Sequence, residues 1–207
     1  MASDENAEKT AERWYEQKSR LMEASLGKEY HMVMHAIIPY AIGGSLDLYY
    51  YPNGLPGTAI ATKELSEMPN EGSSNDVYRC YELVMFTKHA LDPEAAQDEK
   101  TDFGRVHKNI NSILNVIAAY SAQAKLNPNE TAEFPAEMKN IGGKCLIFDG
   151  FACHSDDLAE NFGLLALIEI FRTEMDYARK HGGAMLIERL KEKGYYPYSD
   201  LDRDPVA

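Results

Sequence analysis

The sequence predicts an α+β protein: a mixed β-sheet with α-helices packed against it. Three observations lead there. Strand-like and helix-like segments come in the order helix, four strands, helix, two strands, helices, so the strands are grouped instead of alternating regularly with helices. That order disfavours a doubly wound nucleotide-binding fold. The segment VYRCYELVMFT is mainly apolar on both alternate faces, as expected of a central strand covered on both sides. A later segment carries one continuous helical stripe of Val106, Ile110, Ile113, Ile117, Tyr120 and Ala124. With 207 residues, 44% of them hydrophobic, the chain is long enough for one well-buried core and is expected to form a single domain over residues 1–207.

Residues 4–26 read as a first helix. Asp4, Glu5 and Glu8 suit the positive end of a helix dipole, and Gly27 can end it. Its stripe of Ala7, Ala11, Trp14, Lys18, Leu21 and Ser25 is weakly apolar, which places the helix on the surface with Trp14 as anchor. HMVMHAIIP, LDLYYYP and GTAIATK are short, β-branched or aromatic, and separated by turn signals, so they read as strands before VYRCYELVMFT. The striped helix should run from Phe103 to Lys125, capped by Thr101 or Asp102, with Pro128 beyond it. Residues 127–143 read as a long loop. KCLIFDGF and GLLALIEIF read as strands, although periodicity alone fits a helix for the second; RTEMDYARKH and AMLIERLKEK then read as helices split by two glycines and ended by Gly194. Arg172, Asp176 and Lys180 sit four apart, a spacing of weak pairs on a solvated helix face. In the final GYYPYSDLDRDPV, Pro197 should hold the chain extended. Tyr195 to Tyr198 are expected to dock on the domain and Asp200 to Asp204 to stay solvated.

The formal charge of -12 argues against binding a phosphate backbone or an anionic membrane, and a charged partner should be basic. The polar, acidic start lacks the apolar core of a signal peptide, and no apolar run approaches the ~20 residues that span a bilayer. A cytoplasmic protein is therefore expected. Cys80, Cys145 and Cys153 are odd in number, and two of them lie in apolar runs, which suits reduced buried thiols better than a disulfide framework.

Signatures of catalysis are sparse. The sequence has no G-x-G-x-x-G, no G-x-x-x-x-G-K-[ST] and no G-x-S-x-G. Gly43-Gly44-Ser45 precedes a strand and reads as a tight turn. Cys153 and His154 are adjacent, but neighbours on a strand point apart, and Asp149, Asp156 and Asp157 supply the wrong charge to activate a thiolate. His31 and His35 on one strand face would stand about 13 Å apart, too far to share an ion. No metal, cofactor or catalytic residue is assigned.

Carboxylates inside apolar runs are more informative. Asp47 shares a strand face with Tyr49 and Tyr51, while Glu82 sits among Cys80, Val84 and Phe86. A buried carboxylate must be hydrogen-bonded, paired or protonated. One reading is a binding or acid–base site. The other is a carboxylate that ties the sheet to loop backbone or to an arginine such as Arg172 or Arg179. A hydrolase built on Asp47, Glu82 or Glu174 with a histidine requires these groups to converge in a pocket. Exposed tyrosines forming a homodimer seam are a further possibility.

SLDLYYYP, TAIATKELSEMP, YELVMFTKH and ALIEIFRTEMDYARKHGGAMLIERLKEKGYYPYSDLDR, taken in that order, resemble the Suppressor of Fused family, as a bacterial-type single-domain member. The resemblance runs from Ser45 to Arg203 and is carried by neither the first helix nor residues 127–143. It implies an α+β fold with a mixed sheet and no enzymatic activity. Animal members restrain a zinc-finger transcription factor by gripping an extended peptide as an added strand between two domains. This chain has room for only the first of those domains, so that partner does not carry over. A group within the resemblance is proposed to include immunity proteins that neutralise toxins. The implied role is a protein-binding module. Asp47, Thr62, Ser66 and Glu82 match the family pattern, and with Tyr49 and Tyr51 they are the candidate partner-binding residues.

Overall fold

The computed structural model describes residues 2–155 and 159–207. Among these, seven strands form one mixed sheet in the order β1-β2-β3-β4-β7-β6-β5. They are β1 (Val33–Met34), β2 (Leu48–Tyr51), β3 (Thr58–Ala61), β4 (Cys80–Thr87), β5 (Thr131–Glu133), β6 (Cys145–His154) and β7 (Phe162–Ile170). The helices are α1 (Ala2–Leu26), α2 (Asp102–Ser121), α3 (Arg172–His181) and α4 (Gly183–Glu192). Neighbouring strands are antiparallel except β4 and β7, which run parallel. The fold is thus the α+β arrangement that the sequence predicts.

Residue parity sets the layers. Tyr81, Leu83 and Met85 of β4 share one core with Ile110, Ile113, Leu114 and Ile117 of α2. Cys80, Val84 and Phe86 share another with Trp14, Met22 and Leu26 of α1. Further along that second face, Cys145, Ile147, Ile168 and Ile170 pack on α3 and α4. β4 therefore lies central and is covered on both sides, as its doubly apolar sequence requires. Thr101 caps α2 by accepting a hydrogen bond from the Gly104 N–H at 2.9 Å. Gly163 has a packing reason: a Cβ there would lie 2.3 Å from the Tyr78 ring.

Several elements differ from expectation. The HMVMHAIIP segment contributes only the short edge strand β1, and α2 ends at Ser121 instead of Lys125. The 127–143 loop contains the edge strand β5, paired to Cys145–Ile147 of β6; its three residues are too few for alternation to reveal. Arg172 and Arg179 reach across to Glu133 on β5, and among the described residues Arg172 and Lys180 form no salt bridge with Asp176.

The C-terminal stretch follows a different path too. Gly194 ends the α4 segment at φ 69°. Residues 195–198 then turn, with the Tyr198 N–H donating to the Tyr195 carbonyl, where an extended run was expected. β4 and β7 pair only as far as Val84 and Ala166. Past that point the chain inserts between them. The Ser199 N–H donates to the Phe86 carbonyl, and Ser199 Oγ donates to the Leu167 carbonyl and accepts from the Glu169 N–H. Asp200 is buried, contrary to the solvated tail expected, because Thr87 Oγ1 and the Lys88 N–H both donate to it, at 2.7 and 2.8 Å. Asp202 and Asp204 are exposed.

Candidate functional site

Glu82 lies on the β4 face that meets α1, with no exposure to solvent. Its Oε1 accepts from Lys18 Nζ (2.7 Å), the Ser66 N–H (3.1 Å) and Ser66 Oγ (3.2 Å). Its Oε2 accepts from Thr62 Oγ1 (2.6 Å) and the Leu65 N–H (3.1 Å). Lys18 Nζ, equally buried, gives its remaining protons to the Lys63 and Ser66 carbonyls at 2.5 and 2.7 Å. All three ammonium protons are therefore committed. Trp14 Nε1 also donates to the Ser66 carbonyl. Of the two readings open to Glu82, the geometry matches a carboxylate tying the sheet to loop backbone. Its cationic partner is Lys18 of α1, not Arg172 or Arg179.

A second lysine extends the cluster outward. Lys63 Nζ donates to Glu29 Oε2 (2.5 Å) and Ser19 Oγ (2.8 Å) and lies over the Tyr49 and Tyr15 rings at 4.5 and 5.0 Å. Tyr51 Oη donates to the same Glu29 oxygen. Burial raises the phenol pKa of Tyr49 and Tyr51, and the Glu29 charge raises Tyr51 further, so both stay protonated.

Above this cluster, a cleft of about 760 Å³ opens between α1 and the loop after β3. Tyr15 and Tyr49 supply its aromatic surface, and Glu12, Glu16, Glu64 and Glu67 its charge. Its two lysines, Lys18 and Lys63, are held by internal acceptors, and among the described residues none of these four carboxylates forms a salt bridge. Burial raises the pKa of Glu64, the Asp47 N–H opposes that rise, and the charges of Asp47, Glu82 and Glu67 add to it. A carboxyl whose pKa is higher folded than unfolded loses stability as pH rises through the window between the two values. Glu64→Gln should therefore raise the melting temperature at neutral pH, and the gain should vanish below about pH 4, where an unfolded glutamate is itself protonated. A thermal melt at each pH checks this.

The six candidate residues divide by depth. Tyr51, Thr62, Ser66 and Glu82 are buried and satisfied within the protein, so they support the cleft from beneath. Tyr49 reaches its floor. Asp47, just before β2, is tied to Glu64 through its N–H, but its carboxylate turns to other partners: it lies 2.7 Å from His35 Nδ1 and accepts from the Ala36 N–H. The carboxylates weighed for hydrolysis have separate partners: Lys18 for Glu82, His35 for Asp47 and Arg203 for Glu174. Lys63, Glu64 and Glu67 of KELSE escaped the sequence reading. Lys18 did not, but its place four residues after Trp14 on the anchoring stripe was the available signal that it points inward.

Cys80 and Cys145 are buried but Cys153 is exposed, which corrects the expectation of buried thiols for that residue. His154 Nε2 lies 2.7 Å from Ser25 Oγ. Asp156 and Asp157 fall outside the described residues. Among the described residues no group of His, Cys, Asp and Glu could hold a metal ion, and no helix is long and apolar enough to cross a membrane. Another concavity, of about 510 Å³, lies between the end of α2 and β5; it is lined mainly by apolar residues, with Lys125, Glu130 and Glu133 of both signs.

A mixed sheet helical on both faces, with an acidic, aromatic-lined cleft under its first helix, defines an α+β protein. The chain belongs to the Suppressor of fused family: the family model described as Suppressor of fused protein (SUFU) matches residues 44–204. α1 lies before that stretch, yet it builds one wall of the cleft. Among solved structures, a chain described as "the Sufu-Fu complex crystal structure" is similar with a TM-score of 0.63 at 15% identity, covering 95% of this chain and 92% of that one. Drosophila Suppressor of Fused is similar with a TM-score of 0.55 at 14% identity, covering 86% of this chain and 46% of that one. This chain therefore spans less than half of the Drosophila chain. No curated relative matches in sequence.

Proposed function

We propose that this chain is a non-enzymatic protein-binding module that acts in the cytoplasm as an immunity-type protein and neutralises a basic toxin. The cleft under α1 takes up a cationic segment of that partner. One observation carries the reading: the cleft gathers Glu12, Glu16, Glu64 and Glu67 beside Tyr15 and Tyr49, while both of its lysines are held by internal acceptors. A cationic side chain entering there meets carboxylates and aromatic faces together. The overall charge of -12 adds long-range attraction for a basic partner and predicts fast, salt-sensitive association. Membership of the family supports the protein-binding role. A partner complex described for one similar structure points the same way.

The test is co-purification with the product of the gene beside its own, at low and at high salt. The complex should form at low salt and weaken strongly at high salt, and Glu16→Lys with Glu67→Lys should abolish it. Binding indifferent to salt and to both substitutions would remove the cleft from the account.

A further inference from the structure

The acidic cleft does not end at Glu67. Glu64 and Glu67 also line a second, smaller cleft of about 350 Å³, whose far side is formed by Tyr40, Ala41, Met68 and Glu71. The two concavities therefore lie side by side, with Glu64 and Glu67 between them, on the way from α1 to the turn at residues 40–42. Among the described residues no lysine, arginine or histidine lines the second part. The loop at its end carries Ile37, Ile38 and Ile42 with 101%, 56% and 75% of their surfaces exposed. Three aliphatic side chains held out beside an acidic cleft form an apolar patch that the chain itself leaves uncovered. The loop that bears them is braced. The Gly44 and Ser45 N–H groups donate to the Pro39 and Ile38 carbonyls, and Tyr40 Oη donates to the Ala118 carbonyl of α2.

We propose that the α1 cleft, the second cleft and this isoleucine loop form one continuous docking surface for a protein segment whose cationic stretch is followed by an aliphatic cluster. The inference rests on the acidic-cleft reading and adds to it the kind of segment bound. The cations face Glu12, Glu16, Glu64, Glu67 and Glu71, and the aliphatic end covers Ile37, Ile38 and Ile42. Charge supplies attraction and salt dependence, and the loop supplies a contact that salt does not weaken. A second copy of this chain is a poor occupant for the same surface, because its own -12 charge would repel.

The test uses the full chain and two synthetic peptides of equal charge, one a lysine-rich stretch ending in leucines and the other the same stretch ending in serines, titrated by fluorescence anisotropy. The leucine-ended peptide should bind about tenfold more tightly, a difference of ~1.4 kcal/mol. Replacing Ile37, Ile38 and Ile42 together by serine should erase that difference and leave the salt-dependent binding of the serine-ended peptide intact. Glu67→Lys with Glu71→Lys should weaken both peptides. Equal binding of the two peptides by the native chain, or a difference that survives the isoleucine replacement, overturns the inference while the acidic cleft stands. Failure of both peptides to bind overturns the cleft reading as well. Self-association of the native chain that the serine variant abolishes would assign the loop to a second copy and also overturn the inference.

Discussion

Lys18→Met is expected to destabilise the protein by about 3–5 kcal/mol, because it leaves the Glu82 carboxylate charged and buried without its cation. Glu82 keeps the donors from Thr62, Leu65 and Ser66, so the fold should survive, but the Lys63 and Ser66 carbonyls lose the ammonium that joins α1 to the loop after β3. For a chain of this size the melting temperature should fall by roughly 10 °C. Lys9→Met, on the exposed side of the same helix, should change stability by no more than about 0.5 kcal/mol. The contrast isolates burial from the mere loss of a lysine. Because α1 forms one wall of the cleft, Lys18→Met should also weaken partner binding, whereas Lys9→Met should not. Equal melts for the two variants would show that the Lys18–Glu82 pair does not hold the helix in place.

Arg203→Met should have an effect of the same order. Glu174, fully buried at the start of α3, accepts from both terminal nitrogens of Arg203 at 2.6 and 2.9 Å and from the Phe171 and Val206 N–H groups. Removing the guanidinium strands that carboxylate with two neutral donors, at a cost of about 3–5 kcal/mol. It also frees the segment that fills the gap between β4 and β7 through Ser199 and Asp200, so the loss should spread to the centre of the sheet. Arg172→Met, which breaks the solvent-screened pair with Glu133, should lower the melting temperature far less than Arg203→Met does. Hydrogen exchange at Phe86, Thr87 and Lys88 should accelerate in the Arg203 variant and not in the Arg172 variant.

These two ion pairs also show how far the sequence could be read. Periodicity located α2, because a helix that buries one face repeats its apolar residues along that face; β4 and β7 showed instead as continuous apolar runs, since both of their faces are covered, and for β7 the run fitted a helix as well as a strand. Length defeated it at β1 and β5, which are too short to show a repeat and are held by their neighbours. The carboxylate of Glu82 was visible as an anomaly inside an apolar strand. Its partner was not, since Lys18 lies 64 residues away, and its place on the Trp14 stripe hints at burial without naming the carboxylate it meets. Asp200 was misjudged for the same reason. A run of aspartates at the chain's end looks solvated until Thr87 and Lys88 come back to donate to it. The acidic cleft was hidden more deeply, because it forms only when Glu12 and Glu16 of one helix face Glu64 and Glu67 of a distant loop.

A protein partner that enters the cleft under α1 should be trapped there by a crosslink. A photo-crosslinking amino acid placed at Tyr15, in that cleft, and separately at Tyr120, in the concavity beside β5, tests it most directly in the cells that make the protein. The account predicts a crosslinked partner from position 15 and not from position 120, with the attached peptide rich in lysine and arginine. Crosslinking from position 120 alone, or a captured peptide without basic residues, would contradict it.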